Sequence, residues 1–367
     1  MAGDLIIERQ NDFSIKETNA IDGLYVLVSE NTDTSHYTIP TISYVKDKFS
    51  EMFFTTEDDH DFMHGDIIFI NKKRKKVSGV LNQNAKQNTL LVTERCDNLC
   101  SFCSQPPNAR DDTHFFLYAA ESIINFRQDM IVGITGGEPT FDKDKFINFL
   151  RILNENNSET PLHILTNGRA FKDLDFVKNI TELNHSREVV WGVPVHGHNQ
   201  QLHDDCVGAE NAFIDTLEGL VNLSYYGQFI ELRTVVTQKN YQYLENISEL
   251  ISTSMPFIST HAIMNLEPKG WAKRNFEELF VSPEEQMSNI EKSISLNNLH
   301  GISSALYNYP LCQVDQKLRP YYHKSISDWK NYYPKFCSGC KDKSDCGGFF
   351  TSSVGVYLED NLTKGKQ

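Results

Sequence analysis

The sequence predicts an α/β protein: a parallel sheet curved into a partial (β/α)6 barrel, preceded by a small, mostly-β domain and followed by a cysteine-rich extension. Three observations predict this. From residue 88 onward, short runs rich in Val, Ile and Leu alternate with stretches of helical apolar spacing, the pattern of repeated βα units on a parallel sheet. Before residue 85 the apolar runs are short, β-branched and aromatic, and polar turns separate them, which favours strands. After residue 300, aromatics, prolines and cysteines crowd together without a clear period.

The first domain (residues 1–85) has candidate strands at 24–28 and 66–70. Five consecutive basic residues, Lys72 to Lys76 with Arg74 at the centre, sit between Ile70 and Val77. They suit either an acidic or RNA partner or a solvated hairpin tip; in an acidic chain the hairpin tip is preferred. In the second domain (residues 86–300), strands are expected at 88–93, 130–135, 162–165, 189–195, 229–236 and 260–264, with helices at 113–126, 144–153, 208–226 and 241–253. Reactive groups of such folds collect in the loops after strand C-termini, and the motifs below fall there. The third region spans 301–367, and neither a repeat nor a low-complexity tract is visible.

Of 367 residues, 40% are hydrophobic and 11% aromatic, enough for a large core. The formal charge is −14, from 35 basic and 49 acidic residues, which argues against general nucleic-acid binding, since that needs basic surface facing phosphates. No basic-then-apolar leader and no apolar stretch of about 18 residues occurs, so the expected location is the cytoplasm, with no membrane span. There the eight cysteines stay reduced and read as metal ligands rather than disulfides.

Cys96, Cys100 and Cys103 follow the first barrel strand with C-x3-C-x2-C spacing. Soft thiolates hold iron–sulfur clusters. A four-iron cube held by three of them keeps one iron open for a substrate or cofactor. The competing reading is a structural zinc site with a fourth ligand elsewhere. Gly136, Gly137, Glu138 and Pro139 end the second strand; glycines there permit close backbone approach and unusual dihedrals, or form an ordinary turn. Asn167 and His196 end the third and fourth strands, and Arg233 lies on the fifth, where it could pair bidentately with a carboxylate. Each is read equally as substrate-facing or as a satisfied polar group at the barrel mouth. His196, His198 and His203 are too weak a pattern for a metal assignment. Cys312, Cys337, Cys340 and Cys346 form a second group, sufficient for tetrahedral zinc or another iron–sulfur cluster. Cys206 reads as a free core or loop thiol. No residue is assigned as a catalytic acid, base or nucleophile.

The triad, the strand before it and the Gly136–Pro139 stretch together resemble the radical S-adenosylmethionine (SAM) superfamily. The resemblance implies that Cys96, Cys100 and Cys103 hold a [4Fe–4S] cluster. SAM then chelates the open iron, and reductive cleavage yields a 5′-deoxyadenosyl radical that abstracts hydrogen from carbon. It places Phe102 along the SAM adenine and Gly136–Pro139 at the SAM ammonium, which Glu138 receives; Asn167, His196 and Arg233 are candidates for the SAM ribose or carboxylate. An electron donor such as flavodoxin or ferredoxin is implied.

The C-x2-C-x5-C run from Cys337 to Cys346 resembles part of the SPASM and twitch extensions of peptide-modifying radical SAM enzymes. Phe350 stands where a full SPASM domain has another cysteine, so at most one auxiliary cluster, twitch-like, is implied, iron–sulfur in preference to zinc. The wording of residues 90–96, 103–107, 325–330 and 337–350 resembles the His-Xaa-Ser system maturases, the HxsC type. This implies a peptide or protein substrate with His-Xaa-Ser repeats and a second radical SAM protein as partner. The alternatives are a small-molecule or RNA substrate, or a non-enzymatic metal-binding interaction protein.

Overall fold

The computed structural model describes residues 22–29, 32–42, 62–71, 77–156, 158–327 and 330–358 in full, with backbone alone at 6–9, 13–16, 43, 54–55 and 76. The basic run at 72–76 therefore lies outside the described side chains, as do residues 328–329 of the 325–330 stretch.

Strands β1 (Ile6–Arg9), β2 (Phe13–Lys16), β3 (Gly23–Val28), β4 (Thr41–Ser43), β5 (Phe54–Thr55), β6 (Ile67–Asn71) and β7 (Lys76–Leu81) make one mixed sheet, ordered β2-β1-β4-β3-β6-β7-β5. A second sheet runs in sequence order through β8 (Asn88–Leu91), β9 (Val132–Thr135), β10 (Leu162–Leu165), β11 (Val189–Pro194), β12 (Phe229–Val235), β13 (Thr260–Met264) and β14 (Ser303–Tyr307). All its neighbours are parallel. This is the expected α/β architecture, with β8 and β14 as open edges. The sheet runs past residue 300, because β14 pairs with β13 from Ser303 to Tyr307.

Helices α1 (Thr113–Ile124), α2 (Lys143–Glu155), α3 (Leu174–Leu183), α4 (Gln200–Val207), α5 (Ala212–Tyr225), α6 (Leu244–Ser254), α7 (Trp271–Arg274), α8 (Phe276–Leu279) and α9 (Pro283–Leu299) fill the connections. Side-chain caps fix several starts: Asp142, Asp173 and Asn199 accept from Lys145, Phe176 and Leu202 backbone N–H groups, and Ser282 with Glu285 forms a capping box on α9. Of residues 208–226, expected as one helix, 212–225 form α5, and α4 (200–207), where no helix is expected, precedes it. Gly208 ends α4 at φ +62° and Asn211 precedes α5 at φ +58°, so the chain turns through two left-handed residues. Among the described residues no helix is long and apolar enough to cross a membrane.

Along the barrel strands one face packs under the helices: Leu162, Ile164, Val189, Trp191, Ile230 and Leu232 are buried in the main core. The first sheet joins the same core through Leu24, Val26, Ile67 and Leu81. It docks on α1, where Asn125 accepts from Thr38 N–H at 2.6 Å and donates to Thr38 Oγ1 at 2.7 Å.

Three histidines are enclosed here. Burial holds His196 and His261 down to about 3 and His203 down to about 4. They stay neutral in the fold, whereas unfolding lets each take a proton below its ordinary value near 6.5. Stability therefore falls as pH drops from about 6.5 toward 4, by about 1.4 kcal/mol per pH unit per histidine. His261, which contacts Thr234 Oγ1 at 2.9 Å and Asn297 Nδ2 at 3.2 Å, supplies one share. Denaturant melts at pH 7 and 5 should show the loss, and His261→Gln should reduce its slope; equal stabilities at the two pH values would contradict the assignment.

Candidate cluster site at the barrel rim

The triad loop leaves β8 and is fastened by backbone and side-chain bonds together. Gly137 N donates to Thr93 O at 2.8 Å and Glu138 N to Arg95 O at 2.7 Å, while Asn108 N reaches Glu94 O at 2.8 Å. Farther along, Leu99 N donates to Val207 O at 2.8 Å, Ser101 N to Cys206 O at 3.3 Å and Trp271 N to Cys103 O at 2.8 Å. Asn275 Nδ2 donates to Ser101 O at 2.9 Å. Loops after β9, β11 and β13 thus hold the triad backbone and leave the thiols as the loop's free chemistry.

Gly270 explains the close approach from the β13 side. Its φ is +58°, and a Cβ there would lie 2.6 Å from Ser104 O and 2.7 Å from Cys103 O. Gly208 does the same from α4, with a Cβ position 2.5 Å from Leu99 O.

Cys96, Cys100 and Cys103 are free and partly buried. Burial first, then the charges of Glu138, Asp97 and Cys103, pushes the Cys96 thiol up to about 12. Burial followed by its two partner thiols drives Cys100 higher still, and burial raises Cys103. Without a cation among them these sulfurs keep their protons; metal must displace those protons to bind. Three mutually coupled soft donors at a strand-end loop fit an iron–sulfur cluster. Asn98 N already donates to Cys96 Sγ at 3.4 Å.

At Gly136 and Gly137 the expected close backbone approach is present and the unusual dihedrals are not. Neither Gly136 nor Gly137 has a positive φ. Their close approach is to the triad loop itself: added Cβ atoms would lie 2.5 Å from Thr93 O and 2.2 Å from Arg95 O. Glu138, expected to receive the SAM ammonium, is 1% exposed. Its carboxylate accepts from Thr140 N at 2.8 Å, Thr140 Oγ1 at 2.6 Å, Thr166 Oγ1 at 2.6 Å and the Asn167 backbone N–H. Three of those donors share Oε1 and one takes Oε2, so Glu138 ties the end of β9 to the end of β10, while burial pushes its pKa up.

Asn167 does meet the triad loop: its Nδ2 donates to Asp97 Oδ1 at 2.6 Å. Phe102 is a core side chain, clustered with Cys206, Leu266, Ala272 and Leu279 and edge-on to His196 at 4.8 Å; its ring is spoken for by packing. His196 accepts from Val235 N at 3.3 Å through Nδ1. His203 accepts from His196 N at 3.2 Å, a structural contact. Cys206 is fully buried. Arg233, a candidate for a SAM carboxylate, donates from Nη1 to Glu231 Oε1 at 2.6 Å.

Arg169, one residue beyond the noticed Thr166–Asn167–Gly168 stretch, was missed. Its Nη1 donates to Asp97 O at 3.2 Å and Asn98 Oδ1 at 3.0 Å, while Nε and Nη2 grip Asp215 Oδ2 at 3.2 and 3.1 Å. One guanidinium thereby clamps the triad loop to α5. An arginine at a strand-end turn was the available sign. Arg169→Met is expected to loosen the loop by about 2 kcal/mol, seen as faster amide exchange over 97–101, with Arg169→Lys recovering only part because it lacks the planar fork. Unchanged exchange in the Met variant would remove the clamp.

In the extension, Cys346 is buried and its Sγ accepts from Leu311 N and Gly348 N, both at 3.3 Å. Burial, then Cys346, Cys337 and Cys340, raises the Cys312 thiol, so the four sulfurs are electrostatic neighbours. Among the described residues, no three His, Cys, Asp or Glu side chains converge on a point that would hold a single metal ion.

The radical SAM superfamily model matches residues 90–251, the segment from β8 through most of α6. Residues 90–251 form a radical SAM domain. Its cofactors are a [4Fe–4S] cluster and SAM. The chain is 21% identical over 261 residues, 68% of its length and 77% of the relative's, to a probable GTP 3′,8-cyclase of Pyrobaculum aerophilum. It is 27% identical over 178 residues to an uncharacterized protein of Methanocaldococcus jannaschii, covering 46% of this chain and 60% of that one. Among solved structures it is similar to Streptococcus suis SuiB bound to S-adenosylmethionine, with TM-score 0.46 and 15% identity over 60% of this chain and 50% of that one. The chain thus spans half the length of that structure.

Proposed function

We propose that the chain is a radical SAM enzyme that matures a peptide or protein, using the rim thiols of Cys96, Cys100 and Cys103 for its [4Fe–4S] cluster. When bound, the cluster supplies the electron that cleaves SAM, giving a radical able to take a hydrogen atom from carbon. This chain's residues do the positioning. Glu138 joins two strand ends, Arg169 and Asn167 hold Asp97, and Trp271 holds Cys103 through its carbonyl. The packed collar of Phe102, Leu266 and Leu279 keeps water from that side of the loop.

The observation that carries the peptide reading is the second cysteine group and where it is anchored. Cys312 follows β14 directly, and Lys330 binds Glu267 at 3.0 Å on the same loop that, at Trp271, holds Cys103. This extension resembles those of peptide-modifying radical SAM enzymes, which favours a peptide over a nucleotide. Its four thiols, with backbone N–H groups aimed at Cys346, suit an auxiliary iron–sulfur cluster. The substrate class is a His-Xaa-Ser repeat peptide, with a second radical SAM protein and a flavodoxin- or ferredoxin-type donor as partners, all in the cytoplasm. The cyclase-named relative favours a second reading, a small nucleotide substrate.

Hydrogen–deuterium exchange on the anaerobically reconstituted chain with SAM separates the two. Protection of the barrel interior by a His-Xaa-Ser repeat peptide and none by GTP supports maturation; the reverse supports the nucleotide reading. In product assays, Cys340→Ala should spare substrate-free 5′-deoxyadenosine formation while lowering peptide product roughly tenfold or more. Undiminished product would deny the second group any part in catalysis.

A further inference from the structure

Four polar side chains gather on the barrel's interior face: His163 on β10, Glu231 and Arg233 on β12, and Tyr307 on β14. Glu231 Oε1 receives Arg233 Nη1 at 2.6 Å and faces His163 Nε2 at 3.5 Å, while Tyr307 donates to Glu231 Oε2 at 3.2 Å. The Arg233 guanidinium stands 6.0 Å from the Tyr307 ring. Gly192 on the intervening β11 makes the gathering possible. A Cβ there would lie 2.7 Å from Leu165 Cδ2, 3.1 Å from His163 Nε2 and 3.2 Å from Arg233 Cδ. His163 and Arg233 each sit two residues before their strand's end, about 7 Å beneath the rim that carries the triad loop.

Stability does not explain the quartet. Desolvating an ion pair costs about as much as the pair returns, and an apolar lining would pack the same face. The bonding is also lopsided. Glu231 is engaged on both oxygens, whereas Arg233 donates one of its five N–H groups to it, and the arginine side chain keeps 18% exposure. The guanidinium has donors to spare while each Glu231 oxygen already takes one, so a ligand completing the arginine must bring an acceptor. Glu231, 2.6 Å from the guanidinium, repels a dianionic phosphate far more than a single carboxylate. A planar fork takes a carboxylate bidentately.

We propose that Arg233, backed by Glu231, His163 and Tyr307, is a substrate subsite that binds a carboxylate of the peptide to be modified. This rests on the peptide reading for the identity of the substrate, but its test needs binding alone. The reconstituted, oxidised chain with SAM is probed by saturation-transfer NMR with N-acetylglutamate N-methylamide and with the glutamine analogue. The carboxylate probe is expected to show saturation transfer and the amide probe at least several-fold less. Arg233→Met should abolish the difference, while SAM affinity stays within a factor of two. Tyr307→Phe, which keeps the ring and the Arg233–Glu231 pair, should weaken the carboxylate signal without abolishing it and guards against a folding artefact. Equal transfer from both probes, or a signal indifferent to Arg233→Met, overturns the subsite. A large loss of SAM affinity in Arg233→Met assigns the arginine to SAM and overturns it as well. Failure of any peptide to be modified, with the carboxylate preference intact, counts against the peptide reading alone.

Discussion

Cys100→Ala is expected to yield a folded protein that neither loads a cluster at the rim nor forms 5′-deoxyadenosine from SAM. Of the three thiols, Cys100 faces both partners electrostatically and packs beside Cys206 and Phe102. Truncation removes one sulfur from a loop whose backbone Val207, Cys206, Asn275 and Trp271 continue to hold, so the stability cost is about 1 kcal/mol. The chemical cost is far larger, because a cube with two protein thiolates has lost its register at the rim. Cys206→Ala is the matched control. It deletes a fully buried thiol from the same apolar cluster at a similar packing cost, yet iron, sulfide and SAM cleavage should persist. Metal and sulfide assays with chromatography of the nucleoside product check both. SAM cleavage at the parental rate in Cys100→Ala would sink the ligand assignment.

That loss would be local, and locality is what made the site readable. Strands 162–165 and 260–264 were legible to the residue, since each is a short run between polar or proline-containing turns. The cysteines were legible because their spacing falls in one loop. What the chain hides is partnership across the fold. At Glu138, Thr140 is near in sequence, but nothing local shows that Thr166 and Asn167 also donate to the carboxylate. The Arg233–Glu231 pair was open to period-two geometry, since Glu231 two residues earlier shares its face of the strand. The strand at Ser303–Tyr307 escaped notice because Ser303, Ser304 and Ala305 have little β preference; pairing with β13 supplies what propensity does not. Helix Gln200–Val207 escaped notice because its polar face masks the period, and the left-handed Gly208 and Asn211 separate it from the helix that follows.

Gly137→Ala is expected to be the most damaging single methyl in the molecule. Its Cβ would lie 2.2 Å from Arg95 O, 2.6 Å from Arg95 C and 2.9 Å from Glu94 O, all backbone atoms of the triad loop. Overpacking usually costs about 1–3 kcal/mol when side chains can yield; here two hydrogen bonds of 2.8 and 2.7 Å fix the facing strands on either side of the clash. Relief must come from moving residues 94–95 outward, which carries Cys96 with them and unseats Glu138 from the Thr166–Asn167 end of β10. The expected outcome is a loss at the upper end of that range, a drop of several degrees in melting temperature, and iron loading at the rim well below the parent's. Gly339→Ala supplies the contrast: no atom lies within 4 Å of its added Cβ and its φ is not positive, so stability and loading should match the parent. Calorimetry and iron content after identical anaerobic reconstitution decide the matter. A Gly137→Ala protein that loads iron as the parent does would show that the triad loop tolerates displacement, and that its rigid seat against the end of β9 is not what aligns the thiols.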